Sequence, residues 1–173
     1  DDGMERMYPG GSIDGEDVFY YIAIYNENYE QPPRPDHVDD ADITSGLYRF
    51  DLGPDLGDDA LRATILFSGP AYLAAKEAQD ILAERYNVAA ELWSATSYKR
   101  LREDAIDVQR RNRLNPLDER LVPMLTRKLE SSEGPIVAVS DWMAGVVGQI
   151  NRWSPRPMSV LGTDGFGRSD TRE

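Results

Sequence analysis

Short apolar segments alternate with helical patterns along most of the chain. Each apolar segment is bounded by turn-forming or polar residues, which is the pattern of strands buried inside a sheet. The strand-like segments are ATILFSG at 63–69, VAAELWSATS at 88–97, IVAVS at 136–140 and MSVLG at 158–162.

The intervening segments have helical periodicity. Pro70 suits the first turn of a helix over 71–87. Thr96 or Ser97 is a candidate N-cap for a polar helix that starts at Tyr98, and Pro123 is expected in the first turn of a helix that runs through Leu129. Ser140 is expected to cap a further helix over 141–153. Strand–helix–strand alternation of this kind predicts an α/β fold of three layers, with a mostly parallel sheet between helices.

These patterns also predict the core. The helical stripes of the first and last helices are Leu73, Ala74, Ala78, Ile81 and Leu82, and Met143, Val146, Val147 and Ile150. The expected strand contribution is Ile65, Leu66, Phe67, Val137, Val139, Val160 and Leu161, with Ile22 in a separate sheet.

The N-terminal quarter has a different pattern. VFYYIAIY at 18–25 is an unbroken apolar run, typical of a strand buried on both faces. The following residues 26–44 contain three prolines and many acids, so we expect an extended linker there rather than a helix or a central strand. The predicted organisation is a last strand of one domain in 1–30, a linker in 31–45 and an α/β domain in 46–173, in which GLYRFDL at 46–52 is another strand.

Composition excludes several classes of function. The net charge of −12 disfavours binding to nucleic acid or to an anionic membrane. No run approaches the roughly 18 apolar residues of a membrane span. The absence of cysteine removes disulfide, thiolate and cysteine–zinc chemistry, as in a reducing cytoplasm. The only histidine, His37, is expected in a solvated loop, so neither a metal cluster nor a Ser/His/Asp set is predicted.

The glycine-rich end of the chain has two interpretations. Gly162, Gly165 and Gly167 could form a phosphate-binding loop, but their order reverses the dinucleotide fingerprint and Asp164 adds negative charge. The favoured interpretation is a turn, followed by Asp170 and Glu173 at the spacing of a helix N-cap and its capping-box partner.

Other acidic residues suggest solvated structure rather than a site. The pairs Asp39–Asp40 and Asp58–Asp59 are expected in loops. In the polar helix, the acids alternate with arginines at spacings that support an exposed helix face. These residues are Arg100, Arg102, Glu103, Asp104, Asp107 and Arg110.

Four segments resemble a known enzyme family. They are ERMY at 5–8, VFYYIAIYNENY at 18–29, LWSATSY at 92–98 and, most specifically, VLGTDGFGRSDTRE at 160–173. Together they are similar to the homodimeric, thiamine diphosphate-dependent decarboxylating components of bacterial pyruvate dehydrogenase complexes, which are transketolase relatives. The resemblance covers essentially the whole chain, although QRRNRLNP at 109–116 is more basic than the family pattern.

The resemblance implies the end of a pyrimidine-binding domain followed by a C-terminal domain with four parallel strands and one antiparallel strand, for which GLYRFDL is the candidate. It also implies a C-terminal piece of a longer cytoplasmic bacterial enzyme, cut before its final helices. That enzyme would decarboxylate pyruvate on thiamine diphosphate and magnesium, and transfer the acetyl group to the lipoyl group of a dihydrolipoyl acyltransferase.

No catalytic residue, cofactor ligand or metal ligand can be carried over to this chain. The family's G-D-G…N cofactor motif is matched only by Thr163-Asp164-Gly165, with the wrong first residue. The candidates for proximity to the substrate channel are Asn26, Glu27 and Asn28, and a polar strand end without such a role is an equal alternative. We therefore expect a structural, dimer-stabilising piece that is inactive alone. The alternative function is a free-standing flavodoxin-like α/β module for binding or regulation.

Overall fold

The computed structural model describes residues 2–11, 15–22, 24 and 28–165. The chain divides into two compact units, residues 1–33 and 34–173. The first unit contains helix α1 (Asp2–Met7) and a 3₁₀ turn at Pro9–Gly11. Arg6 forms an ion pair with Glu16 at 2.5 Å and donates to the Tyr20 hydroxyl.

The predicted buried strand over 18–25 is wrong for the described residues. Residues 18–22 and 24 have no regular secondary structure, and Phe19, Tyr21 and Ile24 are almost fully exposed. Ile22, expected in a core, is 75% exposed. A strand requires a backbone partner, and the described residues of this unit contain no second strand with which it could pair.

The second unit is built on a five-stranded sheet of order β1-β3-β2-β4-β5. Strand β1 pairs antiparallel with β3 and the other pairs are parallel. The predicted α/β class, mostly parallel with GLYRFDL as the antiparallel strand, is confirmed. The strands are β1 (Tyr48–Asp51), β2 (Leu61–Phe67), β3 (Val88–Ser94), β4 (Ile136–Met143) and β5 (Met158–Thr163). The helices are α2 (Asp40–Ser45), α3 (Ala71–Tyr86), α4 (Tyr98–Leu114), α5 (Met124–Lys128) and α6 (Ala144–Gly148), with a 3₁₀ turn at Asn151–Trp153.

Helix α2 lies within the segment predicted to be an extended linker. Its N-cap is Asp39, whose side chain accepts from the backbone N–H of Asp42, while the Asp42 side chain accepts in return from the N–H of Asp39. This capping box is built from two aspartates and follows directly on the proline-rich segment. The expectation of a loop is therefore wrong for Asp40, the first residue of α2, while Asp39 lies outside the helix as its N-cap and Asp58 and Asp59 lie in a turn.

The helix predicted over 141–153 is also wrong at its start. Strand β4 continues through Asp141 and Trp142 to Met143, which pairs with Thr163 of β5. Ser140 is thus a strand residue and not a cap. The extra pairing with β5 outweighs the local helical pattern, and only α6 and the short 3₁₀ turn remain helical. Ser97, one of the two predicted N-cap candidates, does cap α4, by accepting from the N–H of Arg100.

One face of the sheet, here called the closed face, is covered by α4, α5 and α6. Fully or almost fully buried side chains from the strands and from these helices form one continuous core. Its members include Leu66, Trp93, Ile136, Ala138 and Met158 from the strands, and Leu101, Ala105, Leu125, Leu129, Val147, Ile150 and Trp153 from the helical segments.

Of the described helices, only α3 packs on the opposite face, here called the open face. Ile65, Phe67, Ala90 and Leu92 pack there against Ala75, with a ring cluster of Phe50, Phe67 and Tyr72 at centroid distances of 5.2–5.7 Å. The predicted α3 stripe is shifted, because Leu73 is 49% exposed and Ala74 is exposed, while the buried positions are Ala75 and Gln79. Beyond α3, an apolar groove of about 810 Å³ remains, lined in part by Val137, Val139 and Leu161.

The predicted core is therefore correct in its centre and wrong at its edges. Ile65, Leu66, Phe67, Val147 and Ile150 are buried. Leu161 is 57% exposed. Met143 is 45% exposed, and the remaining core positions are half-buried: Val137, Val139, Val160, Ala78, Ile81, Leu82 and Val146.

Candidate functional site

The three residues predicted near a substrate channel fall in the N-terminal unit. Asn26 and Glu27 lie outside the described residues. Asn28 is exposed and has no regular secondary structure. The structure therefore places one of the three, and it places that residue on the surface.

The described part of the glycine-rich segment is a bend that follows β5. The Thr163 hydroxyl donates to the carbonyl of Gly165 at 2.9 Å, and the Asp164 side chain is exposed. A side chain that closes its own turn in this way supports the turn interpretation for residues 163–165. Gly167, Asp170 and Glu173, which carry the predicted helix cap, lie outside the described residues.

His37 is exposed and lies in a turn, and it also contacts the sheet. Its Nε2 is 2.9 Å from the carbonyl oxygen of Arg49 in β1. Because a carbonyl only accepts, Nε2 carries the proton and donates. Among the described residues no group of three histidine, aspartate or glutamate side chains is arranged to hold a metal ion.

Two buried hydroxyls meet where β2 ends and within the second half of β4, and the sequence pattern points only to Ser140, as a helix cap. Ser68 donates to Ser140 at an Oγ–Oγ distance of 2.8 Å, and Ser140 Oγ also accepts from the N–H of Trp142. Chain connections diverge here, because β2 leads to α3 on the open face and β4 leads to α6 on the closed face. Ligands of α/β sheets commonly bind at such a point. A serine directly after an apolar run in the sequence is the signal that could have identified both residues.

The chemistry available to these serines is limited. Both residues are more than nine-tenths buried, and the two hydroxyls are hydrogen-bonded to each other. A serine nucleophile needs an adjacent base, whereas His37 bonds to Arg49 in β1. The pair therefore joins two central strands, and the hydrogen bonds that the structure describes for these two hydroxyls include none with a histidine, aspartate or glutamate.

A second polar cluster surrounds Glu91 of β3 on the closed face. Its Oε1 accepts from Thr64 of β2 at 3.0 Å and from the hydroxyl of Ser132, and Arg49 of β1 lies 3.7 Å from Oε2. Arg49 also lies over the ring of Trp93. The carboxylate is mostly buried, and its donors come from β1, β2 and the segment before β4. Their number and origin indicate a structural link between these segments.

Gly134, which precedes β4, allows this segment to approach β2 closely. Its φ is +71°, and a Cβ atom at this position would lie 1.8 Å from the carbonyl oxygen of Arg62. No larger residue fits without displacing the backbone. This turn sets the position of β4 and, through it, of Ser140.

An ion pair connects α2 to α5. Lys128 Nζ lies 3.1 Å from Asp42 Oδ1, and this hydrogen bond is the main cause of a lowered pKa of the Asp42 carboxyl. Asp42 thus completes the α2 capping box and also fixes a helix of the closed face.

Comparison with known families decides what this domain is. A family profile described as the transketolase-like TK C-terminal domain matches residues 46–173, which include all five strands. The chain belongs to this family. Its sheet, with one antiparallel edge strand followed by a parallel strand–helix series, is thus a transketolase-like C-terminal sheet.

The most similar relatives of this transketolase-like chain include three bacterial proteins named pyruvate dehydrogenase E1 component. The protein of Mycobacterium tuberculosis is 43% identical over 157 residues, which is 91% of this chain and 17% of the relative. Those of Cupriavidus necator and Escherichia coli K12 are 39% and 36% identical, each over 99% of this chain and 18% of the relative. The chain thus spans less than a fifth of the length of these relatives. In the described residues, no helix is long and apolar enough to cross a membrane.

Proposed function

We propose that this transketolase-like domain is the C-terminal part of a pyruvate dehydrogenase that decarboxylates pyruvate and transfers the acetyl group to the lipoyl group of a dihydrolipoyl acyltransferase. The observation that carries this proposal is the 36–43% identity to pyruvate dehydrogenase E1 components along almost the whole chain. The longer enzyme would be a cytoplasmic homodimer within a multienzyme complex. A free-standing flavodoxin-like module receives no support from the family match.

In this proposal the domain has a structural role and does not perform the chemistry. Thiamine diphosphate would supply the carbanion-stabilising step in the longer enzyme. The residues described here do not fit a diphosphate or magnesium site. The Thr163 hydroxyl is used within its own turn, and the exposed Asp164 carboxylate would repel a diphosphate. The domain organisation that we propose is a domain end in 1–30, a linker in 31–45 and the transketolase-like domain from residue 46.

A chimera tests the proposed function. Residues 1–173 would replace the matching segment of the M. tuberculosis relative, with the relative truncated before that segment as the control. We expect the chimera to decarboxylate pyruvate with an artificial electron acceptor and the truncated protein to be inactive. A folded, dimeric chimera no more active than the truncated protein would contradict the proposal.

The proposed proximity of Asn26, Glu27 and Asn28 to the substrate channel can be tested in the same chimera. We expect Glu27→Gln with Asn28→Ala to raise KM for pyruvate by about tenfold, equivalent to about 1.4 kcal/mol of lost binding. An exposed pair elsewhere, Glu77→Gln with Asp80→Asn, is the control. Unchanged kinetics in the first variant would remove these residues from the proposed site.

The isolated chain should not bind the cofactor. Calorimetric titration with thiamine diphosphate and magnesium should show no saturable heat, because the described residues lack converging oxygen ligands. Micromolar binding would overturn this expectation and would make Asp164 a candidate ligand.

A further inference from the structure

The surface formed by residues 110–122 is positively charged, whereas the chain as a whole is negatively charged. This surface, here called the basic arm, comprises the last turn of α4 and the loop before α5. It carries four exposed arginines against two acids, in a chain with net charge −12. None of these arginines forms a salt bridge with a described residue. They are Arg110, Arg111, Arg113 and Arg120.

The basic arm also exposes large apolar side chains. Leu117 is 99% exposed and Leu114 is 68% exposed, and Leu121 and Val122 are each more than two-fifths exposed. On a helix, residues three and four apart are surface neighbours. Leu114 therefore lies beside Arg110 and Arg111, so apolar and cationic groups alternate on one surface.

The loop of the arm is held in place by α4. The Asn112 side chain forms two hydrogen bonds with the backbone of Leu121, at 2.9 and 3.0 Å, and the Asp104 carboxylate accepts from the N–H of Met124 at 2.7 Å. Asn112 and Asp104 are about 12 Å apart along the helix, while Leu121 and Met124 span about 10 Å of extended chain. These two distances are similar, and the later loop residue contacts the earlier helix residue. The segment before α5 therefore runs antiparallel along α4.

This anchoring keeps the apolar side chains in the solvent. Helix-dipole stabilisation accounts for Arg111 and Arg113 in the last turn of α4, but not for an almost fully exposed leucine on an anchored loop. A preorganised surface binds at a lower entropic cost than a flexible one. Exposed apolar groups surrounded by charge are typical of protein-binding surfaces.

We propose that the basic arm is a docking surface for an acidic protein segment that carries an apolar anchor. The arginines would pair with carboxylates, while Leu114 and Leu117 would contact the anchor. A short peptide meets only the local positive charge. An extended nucleic acid or an anionic membrane would also meet the net negative charge of the remaining surface.

The test uses the purified chain and a fluorescent peptide in which glutamates flank two leucines. The variant R110Q/R111Q/R113Q should bind this peptide about tenfold more weakly, because three exposed charge pairs together contribute on the order of 1.5 kcal/mol. The variant R85Q/R100Q/R102Q changes the charge equally on exposed residues elsewhere, and it should bind nearly as the unmodified chain does.

The apolar contribution is tested separately. Leu117→Ser should weaken binding severalfold without altering the unfolding midpoint, because this side chain makes almost no contacts within the chain. The same peptide with serines in place of its leucines should bind the unmodified chain at least as weakly as the original peptide binds the Leu117→Ser variant, because it also loses the contact with Leu114.

Four outcomes would overturn the proposal. They are absence of saturable peptide binding, equal weakening in both arginine triple variants, tighter binding of an oligonucleotide of equal charge, and arm-dependent self-association in sedimentation. The last result would assign the arm to a second copy of the chain.

Discussion

The two faces of the sheet differ in how completely they are packed, although the same strands supply both. On the closed face, α4, α5 and α6 bury side chains from β2 to β5, and Leu66, Ile136 and Ile150 have no exposed surface. On the open face, α3 covers β2 and β3 and leaves Val139 half-buried and Leu161 mostly exposed. Burial of an apolar residue in a strand therefore depends on which helix crosses it, and the strand pattern alone does not reveal this.

The two faces also differ in how their helices are attached. The closed-face helices contribute large apolar side chains such as Leu101 and Leu125. Helix α3 buries the small residue Ala75 and the polar residue Gln79. Gln79 donates its side-chain amide to the carbonyl of Ala90 at 2.8 Å and accepts from Lys76. A hydrogen bond to the sheet thus takes the place of an apolar contact.

The largest expected effect tests this difference directly. Truncation of Ile150 to alanine should lower the free energy of unfolding by about 2–5 kcal/mol, because it leaves a cavity in a closed core. Truncation of Leu82, which lines the open groove, should cost about half as much or less, since solvent can enter the space. Urea unfolding of both variants provides the measurement. Equal losses would show that the two faces do not differ energetically.

A second prediction concerns the attachment of α3. Gln79→Leu should lower the free energy of unfolding by about 1–3 kcal/mol, although leucine is more apolar, because the carbonyl of Ala90 loses a buried donor. Glu77→Leu, at an exposed position of the same helix, is the control and should change stability little. A gain in stability from Gln79→Leu would show that α3 is held by apolar packing after all.

A third prediction concerns the closed face. The Tyr98 hydroxyl is buried without a hydrogen-bond partner in the described part of the structure, and burial raises the pKa of this residue. Tyr98→Phe should be neutral or stabilising by up to about 1 kcal/mol, because it removes an unsatisfied polar atom and keeps the ring. Thermal unfolding followed by circular dichroism would measure the difference. A clear loss of stability would indicate that the hydroxyl has a partner.

The smallest expected effect concerns the ion pair that ties α2 to the closed face. The pKa of Asp42 is lowered in the folded chain by Lys128, so this pair stabilises the fold above the ordinary aspartate pKa of 3.8. The contribution is lost as the pH falls through the lower folded-state pKa. Lys128→Met should therefore reduce the urea midpoint slightly at pH about 6, where Asp42 is ionised, and much less once the pH falls below the lowered pKa of Asp42. A constant difference at all pH values would mean that Lys128 acts through packing.

The sequence by itself determined the positions of most strands along the chain and the α/β class. The apolar runs that form β2, β3 and the start of β4 are bounded by turn residues. This pattern is local in sequence, so it can be recognised without knowledge of the tertiary structure. Ser97 was identifiable as an N-cap because capping depends on a side chain and backbone groups within the next turn. The family resemblance rested on contiguous segments, so it too needed no tertiary information.

Only the tertiary structure decided the features that depend on residues distant in sequence. Residues 141–143 extend β4 because β5 lies beside them, although their local pattern favours a helix. Gln79 is buried because Ala90 supplies an acceptor, and Glu91 is largely buried because Thr64, Ser132 and Arg49 surround it. Ser68 and Ser140 meet because β2 and β4 are neighbours in the sheet. In each case the deciding partner comes from another element, and the pattern of apolar and polar residues along the sequence does not indicate which elements will be neighbours.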